Sequence, residues 1–243
     1  MFGDSGQFYP FQPLQFMDGL LTPNIGLSQY VTFFSEYTVG AQPSDWTSRY
    51  GTGFIATVQN GVSGSLSGYV LRWTKTAAAR QALSWDRVPN AADVEVLMRL
   101  RAIEAYAVNE NFLGAYVRGA GALSTETGYR GEIGGLTTGT LANANVVKYV
   151  SGTNTTLGTT TGIPSPNYAV NDWLWFRFRV NGSSQQSKTW HYGASEPGSW
   201  DQTFSDTAIA GAGWTGIQQV TANPNAECDF FSVALNGETA LGP

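Results

Sequence analysis

An all-β protein, a sandwich or barrel of antiparallel strands, is what this sequence predicts. Short apolar segments recur along the chain, divided by Gly, Asn and Pro clusters. That is the spacing of strands and turns rather than of βαβ units. Only 13% of the residues are charged, while Gly alone contributes 29, a balance that suits strands and turns better than surface helices. From Trp175 to Asn181, Phe176, Phe178 and Val180 alternate with Arg177, Arg179 and Asn181, and period two marks a strand with two unlike faces.

Taken in order, residues 1 to about 30 stand apart. Pro10, Pro13 and Pro23 fix φ and remove donors, so the stretch is expected to be extended or irregular. Yet Phe2, Phe8, Tyr9, Phe11, Leu14 and Phe16 are too apolar for a solvated tail. An arm that packs is expected, either on its own domain or on a neighbouring subunit. From residue 31 strands are expected at 31–37, 54–58, 69–74, 93–102, 112–118, 129–133, 146–150, 173–180, 187–192, 215–220 and 228–234. Asn60-Gly61, Gly134-Gly135 and the run 223–225 are among the turn signals between them. Residues 91–107 also favour helix by propensity. Val94, Val96, Met98, Leu100 and Ala102, however, form an apolar row at period two, with Glu95, Arg99 and Arg101 on the other side, so a strand is expected there. Asn181-Gly182 should close a tight hairpin, because that pair readily takes the positive φ values such a turn needs. No linker breaks the chain after residue 30, which favours one domain over 31–243.

Composition excludes several partners. The net charge is −5 and Lys and Arg nowhere cluster, whereas phosphate recognition needs a basic stripe, so no nucleic acid is expected. No apolar run approaches the about 20 residues that span a bilayer. The start, MFGDSGQFYPFQP, lacks the charged and apolar regions of a signal peptide. The single cysteine, Cys228, is expected to be a buried, inert thiol.

Enzyme chemistry finds little material. His191 is the only histidine, and there is neither a G-x-S-x-G elbow for it to serve nor a phosphate-binding Gly loop. Asp93 and Glu95, two apart on an expected strand, would share a face about 7 Å apart, a separation within reach of a glycosidase pair. Glu196, Asp201 and Asp206 flank Trp200. Flat aromatics beside acids and amides suit a saccharide site, for which Trp190, Tyr192, Glu196, Trp200 and Asn171 are the candidates.

Several stretches resemble one family. They are Trp175-x-Arg177-x-Arg179-Val180-x-Gly182, then Lys188-x-Trp190-x-x-Gly193-x-x-Glu196-Pro197-x-x-Trp200, and Asp229-Phe230-Phe231-Ser232-Val233-Ala234 with Gly237. With Phe33–Tyr37, Trp46-Thr47 and Ser84-Trp85-Asp86 upstream, they resemble concanavalin A-like, laminin G-like jelly rolls of the kind found in bacteriophage structural proteins. The resemblance implies a two-sheet antiparallel jelly-roll sandwich, here with an extended N-terminal arm. Glucanases of that fold carry Glu-x-Asp-x-Glu on one strand. Here the acids run Asp93, Glu95 and then Leu97, so no catalytic role carries over. The fold often holds calcium, for which Asp229, Asp45 and Glu36 would be candidates; no cofactor is otherwise implied. The expected function is a non-enzymatic virion structural protein, a phage tail or capsid-decorating component. Its expected partners are other virion subunits, copies of itself, and cell- or particle-surface carbohydrate. The alternative is a carbohydrate-binding module or divergent glycoside hydrolase of the same fold.

Overall fold

A computed structural model describes residues 27–77, 80–104, 111–134, 143–161, 169–220 and 225–243. The strands among them are β1 (Gln29–Thr32), β2 (Trp46–Tyr50), β3 (Phe54–Gln59), β4 (Val70–Lys75), β5 (Gln81–Trp85), β6 (Val94–Ala102), β7 (Asn111–Ala120) and β8 (Thr127–Gly134). They continue as β9 (Asn143–Val150), β10 (Thr153–Thr161), β11 (Leu174–Asn181), β12 (Ser184–His191), β13 (Gln202–Ser205), β14 (Trp214–Gln219) and β15 (Ala226–Leu235). The first sheet runs β13-β12-β11-β6-β15-β4-β3, with β1 beside the far half of β15; the second runs β10-β9-β8-β7-β14-β5-β2. Every pairing between these strands is antiparallel. The two sheets make an antiparallel jelly-roll sandwich, as the resemblance implies.

The core follows from that alternation. Val94, Val96, Met98, Leu100 and Ala102 of β6 and Leu174, Phe176, Phe178 and Val180 of β11 point inward and are buried, each large side chain contributing roughly 1.5–3 kcal/mol. Residues 94–102 are thus strand, because period two lets all five apolar side chains reach one core. Between the sheets Trp46 and Trp85 stack at 5.7 Å, and Phe231 meets both edge-on. Cys228 is buried in the same cluster, and burial pushes its thiol well up.

Several local expectations need correction. The strand expected at 31–37 ends at Thr32. Phe34 takes φ 61°, its N–H donated to Thr32 Oγ1 at 2.9 Å, and so turns its ring into the core against Trp46. The sheet also takes in Gln29 and Tyr30, two residues before the expected boundary. The hairpin loop is Gly182-Ser183, one residue further on than Asn181-Gly182, since Asn181 pairs with Ser184. Gly182 alone takes a positive φ there, 54°. Its N–H donates to Asp93 at 2.8 Å, and its carbonyl accepts from Arg118 at 2.8 Å. Arg118 also holds the carbonyls of Ala92 and Ile209, so tertiary bonds, more than the Asn-Gly pair, set this turn. The strands β2, β5, β10 and β13 went unforeseen as elements: β5 is buried throughout and does not alternate, and β10 is a polar Thr-rich edge. The arm residues Phe2, Phe8, Tyr9, Phe11, Leu14 and Phe16 lie outside the described residues.

Candidate functional site

Four of the five sequence-predicted ligand residues gather on the outer face and edge of the first sheet. Trp190, on β12, lies opposite Trp175 of β11, and the two rings stack at 6.1 Å with Trp190 only 7% exposed. Trp200 carries Lys188 Nζ at 4.9 Å and the Arg179 guanidinium at 5.4 Å over its ring. Tyr192 is 55% exposed, with the buried Arg99 guanidinium 4.0 Å from its ring centre. Glu196 is held by Arg177 Nε and Lys188 Nζ, both at 2.7 Å. Burial pushes its carboxyl up, but these two partners outweigh it and hold it below the usual range. Asn171 is exposed at φ 73°, a conformation Asn tolerates, and its N–H donates to Ala102. The result is a set of ion pairs and cation–ring contacts around these rings, with Trp190 buried and Tyr192 still more than half exposed.

The other acids are likewise engaged. Glu95 lies buried between Arg177 and Arg179 and also accepts the Ala240 N–H. Asp93 serves the β11–β12 hairpin and Arg118. The two carboxylates are thus bound to different partners. Asp201 accepts the Thr189 N–H at 2.8 Å, and Asp206 takes the Tyr129 hydroxyl and Lys148. Of the calcium candidates, Asp45 pairs with Arg87, Glu36 is exposed, and Asp229 pairs with Arg99 and accepts the Leu66 N–H. Burial pushes the Asp229 carboxyl up to about 6 in spite of Arg99. Among the described residues no three of His, Cys, Asp and Glu converge. His191 ends β12, half-buried.

An open recess lies instead on the outer face of the second sheet. Its volume is about 240 Å³, and its lining comes from Arg130 and Glu132 on β8, Asn145, Val147 and Tyr149 on β9, Asn154 and Thr156 on β10, and Arg80 and Val220. Register explains the convergence: Glu132 lies opposite Asn145, and Asn154 opposite Tyr149. Arg130 and Glu132, two apart on one strand, form a buried ion pair, and Asn145 Nδ2 donates to Glu132 at 3.4 Å. Burial pushes the Glu132 carboxyl up, opposed by Arg130. Arg80 reaches in from the start of β5, 5.5 Å from the Tyr149 ring centre and 2.5 Å from the buried carboxylate of Glu126.

Beside the recess the sheet carries an aromatic floor. Tyr116 stacks on Trp214 at 4.7 Å, and Tyr149 and Tyr50 adjoin them. Glycines make this possible: a Cβ on Gly119 would stand 2.3 Å from Trp214, and one on Gly128 would stand 2.3 Å from Tyr116. Gln218 donates to the Tyr50 hydroxyl at 2.5 Å. Sequence reasoning missed this surface. Its one legible sign is Arg130-x-Glu132 inside an expected strand, which puts opposite charges on a single outer face.

No protein-family model matches this chain, and no curated protein matches it in sequence. Solved structures do match in fold. The Ca2+-bound exoplasmic/lumenal domain of VIP36 aligns with a TM-score of 0.53 at 10% identity, over 87% of this chain and 91% of that one. The carbohydrate-binding module CBM66 from Bacillus subtilis aligns at 0.50 and 10%, over 85% and 99%. A xylan β-1,4-xylosidase from Bacillus halodurans C-125 aligns at 0.52 and 12% over 84% of this chain, which spans 38% of that protein. At such identities the likeness shows the fold alone.

Proposed function

We propose that this chain is a non-catalytic carbohydrate-binding sandwich, displayed on a virion as a phage tail or capsid-decorating component, and that the recess on the second sheet holds the saccharide. The observation that carries the binding role is that recess: amides (Asn145, Asn154), a hydroxyl (Thr156), guanidiniums and an aromatic ring converge on about 240 Å³. Such a mixture bonds sugar hydroxyls. A carbohydrate-binding module and a lumenal domain crystallised in a Ca2+/Man-bound form share the fold, which supports the ligand class. The virion setting is supported by the low charge and Gly-rich composition and by the resemblance to phage sandwich domains. It makes other virion subunits and copies of the chain its partners; stoichiometric co-purification with assembled particles tests it, and absence from them overturns it.

Asn154 and Thr156 are exposed on an edge strand, so replacing both by alanine should leave folding intact. Losing two hydrogen bonds of about 0.5–1.5 kcal/mol each should weaken glycan binding roughly tenfold. Trp200→Ala should leave it unchanged. Titration calorimetry with a glycan selected on an array decides between the two faces; the opposite pattern places the sugar on the first sheet.

The non-enzymatic reading is supported by the acid count at the recess. Glu132 is the one carboxylate among its described lining residues. Glu126, six positions earlier and just ahead of β8, lies outside that lining and is paired with Arg80, so the described lining offers no second carboxylate for a glycosidase pair. Incubation with polysaccharides is therefore expected to release no new reducing ends. Turnover that vanishes in Glu132→Gln would overturn this and favour the divergent hydrolase.

A further inference from the structure

Taking the recess as the saccharide site proposed above, we propose that it selects a sugar bearing a carboxylate, a uronic acid unit, through the guanidinium of Arg80. The chain as a whole is acidic, with 18 Asp and Glu against 13 Lys and Arg. Among the described residues, the charged lining of the recess is Arg80 and Arg130 with Glu132. Arg130 and Glu132 are ion-paired, so that pair contributes no net charge. The remaining cation, Arg80, is ion-paired as well, with Glu126, a buried carboxylate outside the lining, so what it offers the recess is N–H donors rather than net charge.

Arg80 is also held so as to present those donors. Its side chain is 24% exposed and meets Glu126 through Nη2, one of three guanidinium nitrogens. The Tyr149 ring, 5.5 Å away, backs the guanidinium and limits the freedom lost when a ligand binds. A guanidinium so held offers parallel N–H donors to a carboxylate, a stronger and more directional contact than any it makes with a neutral hydroxyl. The volume is below the about 300–1,000 Å³ of pockets that engulf drug-sized ligands, so it suits one sugar unit, with the rest of the saccharide outside. Asn154 and Thr156, on the edge strand, stand where the hydroxyls of that unit would be met.

Titration calorimetry of the full chain with tetrameric oligogalacturonate and oligomannuronate, and with the methyl esters of both, tests this. The ester keeps every hydroxyl and removes only the charge. At least one acid form is expected to bind about tenfold or more tightly than its ester, with an affinity that falls as salt is raised. Arg80→Gln should bring the acid-to-ester ratio close to one. Arg80→Lys keeps a cation beside Glu126 but lacks the planar fork, so it should fold normally and still lose most of the preference. Acid and ester bound equally well, with both weakened by Asn154→Ala/Thr156→Ala, would overturn the carboxylate preference and leave the saccharide site standing. Binding confined to neutral glycans through the same two residues would do the same. No saccharide binding of any kind would overturn both.

Discussion

Replacing Trp85 by alanine is expected to cost about 3–5 kcal/mol of unfolding free energy, in the range measured for large aromatic truncations in cores. Trp85 is 1% exposed. Its ring stacks on Trp46 from the neighbouring strand of the second sheet, and Phe231 and Tyr30 of the first sheet pack edge-on at 5.9 and 6.4 Å. The ring therefore joins the two sheets. Sandwich layers cannot collapse onto a hole at that level without shifting whole strands, so most of the cavity should remain. Each lost aromatic pair adds about 0.5–1.5 kcal/mol to the area term. Trp85→Phe should cost clearly less, because phenylalanine keeps the stack and removes a buried indole N–H that has no hydrogen-bond partner. Urea denaturation followed by far-UV circular dichroism measures both. A loss below about 1 kcal/mol for the alanine variant would mean that the sheets repack freely.

Glu95→Gln should be nearly as damaging, about 3–5 kcal/mol, by a different mechanism. The carboxylate is 1% exposed, with Arg177 on one oxygen and Arg179 on the other. It also receives the N–H of Ala240, while the Ala240 carbonyl accepts from Arg177 at 3.0 Å. Removing its charge leaves Arg177 paired with the partly exposed Glu196 and weakens the tie to Ala240 near the C-terminus. A buried cation that loses its partner carries the full cost of desolvation. Glu95→Gln with Arg177→Met should therefore recover part of the loss, a coupling that a double-mutant cycle reads directly. Full additivity of the two substitutions would refute the ion-pair account. Because Glu95 is a folding residue, any loss of function in Glu95→Gln has to be read together with its stability.

Much of the sandwich was legible along the chain. Period two in 94–102 and 174–180 announced both the strands and their buried faces, and the outcome overrode the helix propensity of the former. Where alternation fails, the reading fails with it. β5 is buried on both faces, β10 is threonine-rich and polar, and Phe34 leaves its strand through a positive φ that no neighbouring residue signals. The candidate site was less legible. Trp190, Tyr192, Glu196 and Trp200 do lie along one face and edge of the first sheet, but arginines of neighbouring strands engage Tyr192, Glu196 and Trp200, and Trp190 is buried against Trp175. Those arginines were visible in the sequence; their partners were not.

What the sequence by itself determined is which side chains leave each strand on the same face, because strand geometry is local and alternates residue by residue. Only the tertiary structure decided which faces meet. Glu95 finds Arg177 82 positions away, and Arg99 finds Asp229 130 positions away, because sheet order sets β6 between β11 and β15. The recess arises in the same way. Arg80 precedes β5, Arg130 and Glu132 lie on β8, and Asn154 and Thr156 lie on β10, and no local period links them. Sheet order rests on the burial of all the strands together against a common core, a cooperative and non-local balance. A site assembled from three strands and the ends of two others is therefore absent from any one stretch of sequence.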